Sequence, residues 1–266
     1  MKKDDYQLLS LEHGAIWLYD LGNIKMHAYK SNDMMDDVVF ILEKNNQAVT
    51  IENPSFAVSV KELTEYVKGL GVKAKWKLPA YHMAGAHYLP GAGVHSTVKA
   101  GLYAHSGGGF KMVQQFKKNF KKDFDADIDV VTHPIVGDSV ELGGIRFNII
   151  TTDEAFDIEI PEINTLYTHM LGNHVHSLVI SKKMLKGTIQ RFMEYKSKGY
   201  DLVISSHHMP EDDLDLIEKI AYLENLGKIA DNCVTADEFK TRMHVDYPDY
   251  TGDNYLEMTA HALFAS

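Results

Sequence analysis

Four times in this chain a short stretch with strand character runs out into histidines or acids. The stretch 75–78 leads to His82 and His87, and 145–150 leads to Asp153-Glu154. The stretch 164–167 leads to His169, His174 and His176, and 200–205 leads to His207-His208. Open α/β sheets carry their sites at the carboxyl ends of strands. If these strands share a sheet, the clusters meet along one edge, which is a severe restriction on the fold. Imidazole with carboxylate is the borderline donor set that suits zinc, manganese or iron.

The remaining patterns fill in the layers. Strands are expected over 36–42 and 47–51, joined by the polar turn 43–46. Ser59-Val60-Lys61-Glu62 reads as a capping box opening a helix that ends near Gly69 and Gly71. The stretch 98–103 reads as a strand, and 139–142 with 145–150 as a hairpin across Gly143-Gly144. Helices are expected over 183–198, 214–226 and 255–264, with a further capping box at Thr235-Ala236-Asp237-Glu238. Strands with interspersed helices and a helical tail give an α/β (α+β) fold, a four-layer αββα sandwich. We expect one domain over 1–266, with a helical C-terminal extension from about 211.

Composition excludes several classes. A formal net charge of −10 over 266 residues disfavours nucleic acid as a partner. The lysines of 116–122 stand between aromatics at helical spacing and read as a solvated helix face. The lone Cys233 excludes an internal disulfide and fits a reducing compartment. The first residues lack the apolar core of a signal peptide and no long apolar run follows, so the expected location is cytoplasmic, without membrane attachment. No Gly-x-Ser-x-Gly elbow, P-loop or His-Glu-x-x-His motif is present. The apolar run near 256–264 is expected to offer a homodimer contact. His13, His27, His133, His244 and His261 stand singly and read as surface or hydrogen-bonded residues. His95 and His105 flank the glycine-rich 91–109 region.

The segment from Tyr81 to Gly91 is the most specific signal. Against the metal-binding pattern His-x-His-x-Asp-His it keeps the outer histidines, His82 and His87. Ala84 and Ala86 stand where the inner histidine and the aspartate belong. A methyl group has no lone pair to offer a metal. In order and spacing, 38–210 resembles the metallo-β-lactamase superfamily, and its second half resembles the alkyl sulfatase branch. Thr152-Asp153-Glu154-Ala155 is similar to that branch's Thr-Glu-Ala segment. Thr168-His169, followed by His176-Ser177, stands where the branch has Ala-Glu and then His-Asn. His207-His208-Met209-Pro210 matches its His-His-Trp-Pro.

The resemblance implies His82 and Glu154 as ligands of a first metal, and His87 with one of His207 or His208, His207 foremost, as ligands of a second. His169 falls at the bridging carboxylate position. An imidazole nitrogen serves one metal, so a tight pair is not expected. One divalent ion, zinc foremost, or none is the expectation. His208, His176, Tyr88 and Met83 are expected to line a substrate pocket; Met170 and Met209 also adjoin candidate ligands. The implied reaction is hydrolysis of a small ester or sulfate ester by a metal-activated water, weakened by Ala84 and Ala86. The alternative is a small-ligand-binding protein that has lost its metals. The alanines are either natural or replacements in a His-Met-His-Gly-Asp-His loop. Restoring Ala84→His and Ala86→Asp is expected to create metal binding.

Overall fold

The run Val38-Val39-Phe40-Ile41-Leu42 shows no alternation of polar and apolar residues. The structure, a computed structural model that describes residues 3–169 and 171–264, covers both faces of its strand. Val38, Phe40 and Leu42 enter one buried apolar cluster, while Val39 and Ile41 enter another. A strand sandwiched in this way must be apolar at every position.

The first sheet takes the chain through β1 (Gln7–Ser10), β2 (Gly14–Asp20), β3 (Lys25–Ser31), β4 (Val38–Lys44) and β5 (Gln47–Ile51). Helix α1 (Ala57–Gly69) returns the chain to β6 (Lys73–Leu78) and β7 (Gly93–Ser96). Helices α2 (Val98–Ser106) and α3 (Gly108–Phe120) then lead to the short β8 (His133–Pro134). These eight strands lie side by side in chain order. They are antiparallel from β1 to β5 and parallel from β5 to β8.

The second sheet contains β9 (Ser139–Leu142), β10 (Ile145–Thr151), β11 (Phe156–Ile160) and β12 (Thr165–Tyr167). After α4 (Lys182–Lys196) comes β13 (Leu202–Ile204). The order is β13-β12-β11-β10-β9, with β12 and β13 parallel and the rest antiparallel. Helices α5 (Asp213–Asp231), α6 (Ala236–Asp246) and α7 (Asp253–Phe264) complete the chain.

Alternation in the strands decides what each layer packs against. Leu202 and Ile204 of β13 join Phe147, Phe156 and Tyr167 in the core that also takes Phe40 and Leu42, so this core fills the space between the sheets. Val203 and Leu166 point the other way, onto Leu185, Phe192, Leu216 and Leu223 of α4 and α5. On the far side, Val60, Leu63 and Val67 of α1 cover Val39 and Ile41. The layers are therefore αββα, as expected. Among the described residues no helix is long and apolar enough to cross a membrane.

Two local expectations are overturned. Residues 98–103 form α2, not a strand, because Thr97 caps it by accepting the Ala100 amide at 3.1 Å. The β-branched Val98 and the aromatic Tyr103 carried the strand reading, and the cap outweighs them. The capping box at Ser59 is also absent. Helix α1 begins at Ala57, and the Ser59 hydroxyl donates instead to Asp33 at 2.9 Å. The lysines of 116–122 are exposed as expected, while Phe116 and Phe120 pack with Phe56 and Phe124.

Phe40 is fully buried between the sheets. Phe40→Ala should lower the unfolding free energy by about 3–5 kcal/mol, read as a shift of the urea midpoint at unchanged slope.

Candidate metal centre

The strand tips bring together three of the predicted ligands. His82 follows β6, His169 follows β12 and His207 follows β13. Nε2 of His82 lies 3.1 Å from Nε2 of His169. The ring of His207 sits 4.9 Å from that of His82 and 5.3 Å from that of His169, centroid to centroid. One ligand atom from each of the three lies within 4.8 Å of the others. Behind them sits Asp37, the residue before β4, with Oδ1 3.3 Å from Nδ1 of His207 and 3.8 Å from Nδ1 of His82. Its carboxylate was not singled out from the sequence; its only signal is an acid abutting an apolar strand.

The turn that delivers His82 is held by a second unforeseen acid. Glu52 follows β5 directly, is fully buried and has a positive φ of 67°. Its carboxylate accepts the amides of Ala80 at 3.2 Å, Tyr81 at 3.0 Å and His82 at 2.6 Å. It also accepts the Tyr167 hydroxyl, from the tip of β12 in the opposite sheet. The Tyr81 ring then stacks on His169 at 4.2 Å and 10°, and its hydroxyl meets Thr152 Oγ1 at 2.6 Å.

Other predicted ligands lie elsewhere. His87 is 70% exposed, with Nδ1 3.0 Å from Asp125 Oδ2. The chain diverges at Gly85, whose φ is +83° and where an added Cβ would lie 1.9 Å from the Pro54 carbonyl oxygen. From there the amides of Gly85 and Ala86 bond to the carbonyls of Asp125 and Asp127, away from the triad. Ala84 is 5% exposed and packs with Phe56 and Phe124. Its surroundings are those of an aromatic cluster rather than of a ligand group. Glu154 is exposed at a pocket rim and outside the triad. Tyr88 and Met83 are core residues, not pocket residues: Tyr88 packs beneath α1, and Met83 lies between the sheets. Met170 lies outside the described residues.

The electrostatics divide the triad by role. Burial, then the neighbouring His82 and His207, hold His169 well below the usual imidazole range. Burial also lowers His82 despite the opposing pull of Asp37. For His207 burial acts downward, but its contact and charge attraction with Asp37 outweigh it and the net shift is upward. Burial would raise Asp37, yet the charges of His82 and His207 leave it lowered. Burial thus favours the neutral, lone-pair-bearing form of His82 and His169, while Asp37 pulls His207 the other way.

Do these residues fit an ion? Two nitrogens bound at about 2.0–2.1 Å around one tetrahedral ion sit roughly 3.4 Å apart, close to the 3.1 Å between His82 and His169. Nδ1 of His82, Nδ1 of His207 and Oδ1 of Asp37 are buried without a well-formed hydrogen bond. That is the outer arrangement in which a carboxylate orients metal-ligating imidazoles. Three imidazoles with a position left open suit a single zinc-class ion. Among the described residues the one carboxylate beside the triad, Asp37, faces the Nδ1 atoms of His82 and His207 from behind, so the group suits one ion rather than a bridged pair.

A pocket of about 110 Å³ adjoins the triad through His169 and Tyr81. His208 and His176 line it, with Asp157, Glu154, Arg191 and Lys219. Gly172 covers the His208 ring so closely that an added Cβ would lie 2.3 Å from it, and burial drives His208 down to about 3. Arg191 Nε lies 4.0 Å from Asp157 Oδ2. Burial raises Asp157 to about 6 against the pull of Arg191 and Tyr195. Lys219 donates to the Val175 carbonyl at 2.7 Å, and burial lowers its ammonium to about 7.

Two facing sheets with helices outside and a histidine cluster on the strand tips make this the metallo-β-lactamase fold, a fold that hydrolases use. Similar solved structures include a stereoselective inverting sec-alkylsulfatase from Pseudomonas sp., with TM-score 0.62 and 13% identity over 93% of this chain and 49% of that one. A metallo-β-lactamase family protein from Thermus thermophilus matches with TM-score 0.61 and 11% identity, over 91% of each chain. A metallo-β-lactamase from Erythrobacter litoralis matches with TM-score 0.59 and 10% identity, over 82% of this chain and 100% of that one. The chain spans about half the length of the alkylsulfatase. No family model and no curated protein matches the sequence.

Ala84→His should force an imidazole among Phe56 and Phe124, costing about 1–3 kcal/mol in urea unfolding without adding a metal equivalent. Lys219 gives a pH signature. Its folded value of about 7 lies below the ordinary value of about 10.4. Below about pH 7 both states are charged and the folded one carries the full penalty; above about pH 10.4 neither is charged. Relative to Lys219→Met, the wild-type unfolding free energy should therefore rise between about pH 7 and pH 10. Parallel curves for the two proteins would contradict this.

Proposed function

We propose that this chain is a metal-dependent hydrolase of a small ester or sulfate-ester substrate, using one divalent ion, zinc foremost. His82, His169 and His207 would hold the ion, in place of the larger ligand set expected from the sequence. The observation that carries the reading is the convergence of three half-buried imidazoles with Asp37 behind two of them. An ion bound there supplies Lewis acidity and a water acidified toward neutral pH.

The chain's own residues do the rest. Asp37 fixes the orientation of His82 and His207, and Glu52 fixes the turn that presents His82. Arg191 faces the adjoining pocket with Nε buried and without a hydrogen bond, its ion pair with Asp157 being a loose one of 4.0 Å, which leaves the donor to an anionic oxygen of the substrate. The pocket's size of about 110 Å³ restricts the reacting portion to a few heavy atoms. It is well below the roughly 300–1,000 Å³ of clefts that take drug-sized ligands.

A second reading rests on the same 3.1 Å contact. Two neutral imidazoles at that distance satisfy each other by a hydrogen bond without an ion. The protein would then be a non-catalytic module binding a small anion beside His169.

Metal analysis of protein purified without chelator separates the two. On the hydrolase reading His169→Ala loses one metal equivalent relative to wild type, together with hydrolysis of chromogenic aryl sulfates or esters. His87→Ala keeps both, and Arg191→Ala lowers kcat/KM by about tenfold or more for the anionic substrate. Equal metal content in wild type and His169→Ala, with small anions still bound, supports the binding module instead.

A further inference from the structure

A second group of ligand-type side chains lies where the last helices meet the segment after β12. His176 is 1% exposed; Nδ1 lies 3.0 Å from the Tyr222 hydroxyl, and Nε2 is buried with no hydrogen-bond partner. His244, in the last turn of α6, and Asp253, the first residue of α7, approach with Nε2 and Oδ1 3.0 Å apart. The rings of His176 and His244 are 5.9 Å apart and inclined at 69°. One ligand atom from each of His176, His244 and Asp253 lies within 4.8 Å of the other two.

The backbone fixes this meeting. The His176 amide donates to the Thr251 carbonyl at 2.8 Å, and the Thr251 amide donates to the His174 carbonyl at 3.1 Å. Val175 and Thr251 thereby pair as a parallel bridge. Gly252 permits the approach: its φ is +84°, and an added Cβ would lie 2.7 Å from Val175 Cγ2. Asp253 follows at once, so the turn between α6 and α7 sets both exposed ligands over the buried nitrogen of His176.

We infer that His176, His244 and Asp253 form a second divalent metal site of the zinc class, distinct from the strand-tip triad. Two imidazoles and a carboxylate are a borderline donor set, and water completes the coordination from the exposed side. The Tyr222 oxygen, which already accepts the Ser177 amide at 3.3 Å, also accepts Nδ1–H of His176. That tautomer leaves the Nε2 lone pair for the ion. The ion joins α6 and α7 to 174–176, a stretch whose residues Val175 and His176 also form one wall of the pocket beside His169.

The test uses the full chain, stripped with chelator and titrated with Zn2+ by calorimetry. Wild type should bind one more equivalent than His244→Ala and one more than Asp253→Asn. Both positions are exposed, and circular dichroism should show each variant folded. A His82→Ala background removes the triad's contribution. There Zn2+ should raise the melting temperature, and in His82→Ala/His244→Ala that rise should vanish. Wild-type stoichiometry in both His244→Ala and Asp253→Asn would overturn the site. So would a Zn2+-dependent rise that survives in the double variant. If His82→Ala instead keeps every equivalent of wild type, the triad reading fails while this one stands.

Discussion

Glu52 leaves the tip of β5 in a left-handed backbone conformation and buries its carboxylate where both sheets end. Three successive amides from the turn after β6 and one hydroxyl from β12 bind to it. A conformation of that kind in a non-glycine residue costs about 1–3 kcal/mol and persists only when its surroundings over-determine it. Here the surroundings are a buried anion with four donors. Remove the charge and the turn presenting His82 loses its common anchor, together with the stacking of Tyr81 on His169. Lys77 and Asp129 brace the neighbouring strand tip, with the ammonium 2.5 Å from the carboxylate and Asn53 donating to the same oxygen at 2.7 Å.

The repeated pattern of strand followed by polar cluster was legible in the sequence and carried the αββα layering. It also carried the meeting of His82, His169 and His207. The acids behind them were not legible. Asp37 and Glu52 each sit beside an apolar strand, but a single acid there reads equally well as the start of a surface turn. Nothing in the chain's order says that the ends of β4 and β5 lie under the tips of β6, β12 and β13. His87, Tyr88 and Met83 were misplaced because a six-residue motif was read as one continuous loop. Gly85 breaks that loop, turning the following residues toward 125–128. His244 and Asp253 were invisible as a pair, since only the turn between α6 and α7 brings them to His176.

Charge in the pocket beside His169 is arranged in opposition. Arg191 lies 4.0 Å from Asp157, and the charge acting on buried Lys219 is that of Glu211. Burial penalises each ion, and partial pairing offsets the penalty without removing it. Such a pocket favours a ligand that brings its own charge to a donor without a hydrogen bond, which is the condition at Arg191 Nε. The same balance explains why His208, pressed under Gly172, stays neutral where a cation would have no partner.

The parallel pairing of β12 with β13 has a consequence for how the protein matures. A parallel neighbour requires a crossover, here α4, which packs on the outer face of the sheet. His169 and His207 ride on those two strands, and His82 comes from the other sheet, 87 residues from His169. The contiguous β12–α4–β13 unit brings His169 and His207 together, and His82 joins them only when the two sheets face each other. The three rings meet only after long-range closure of the two sheets, and contacts of that sequence separation form slowly.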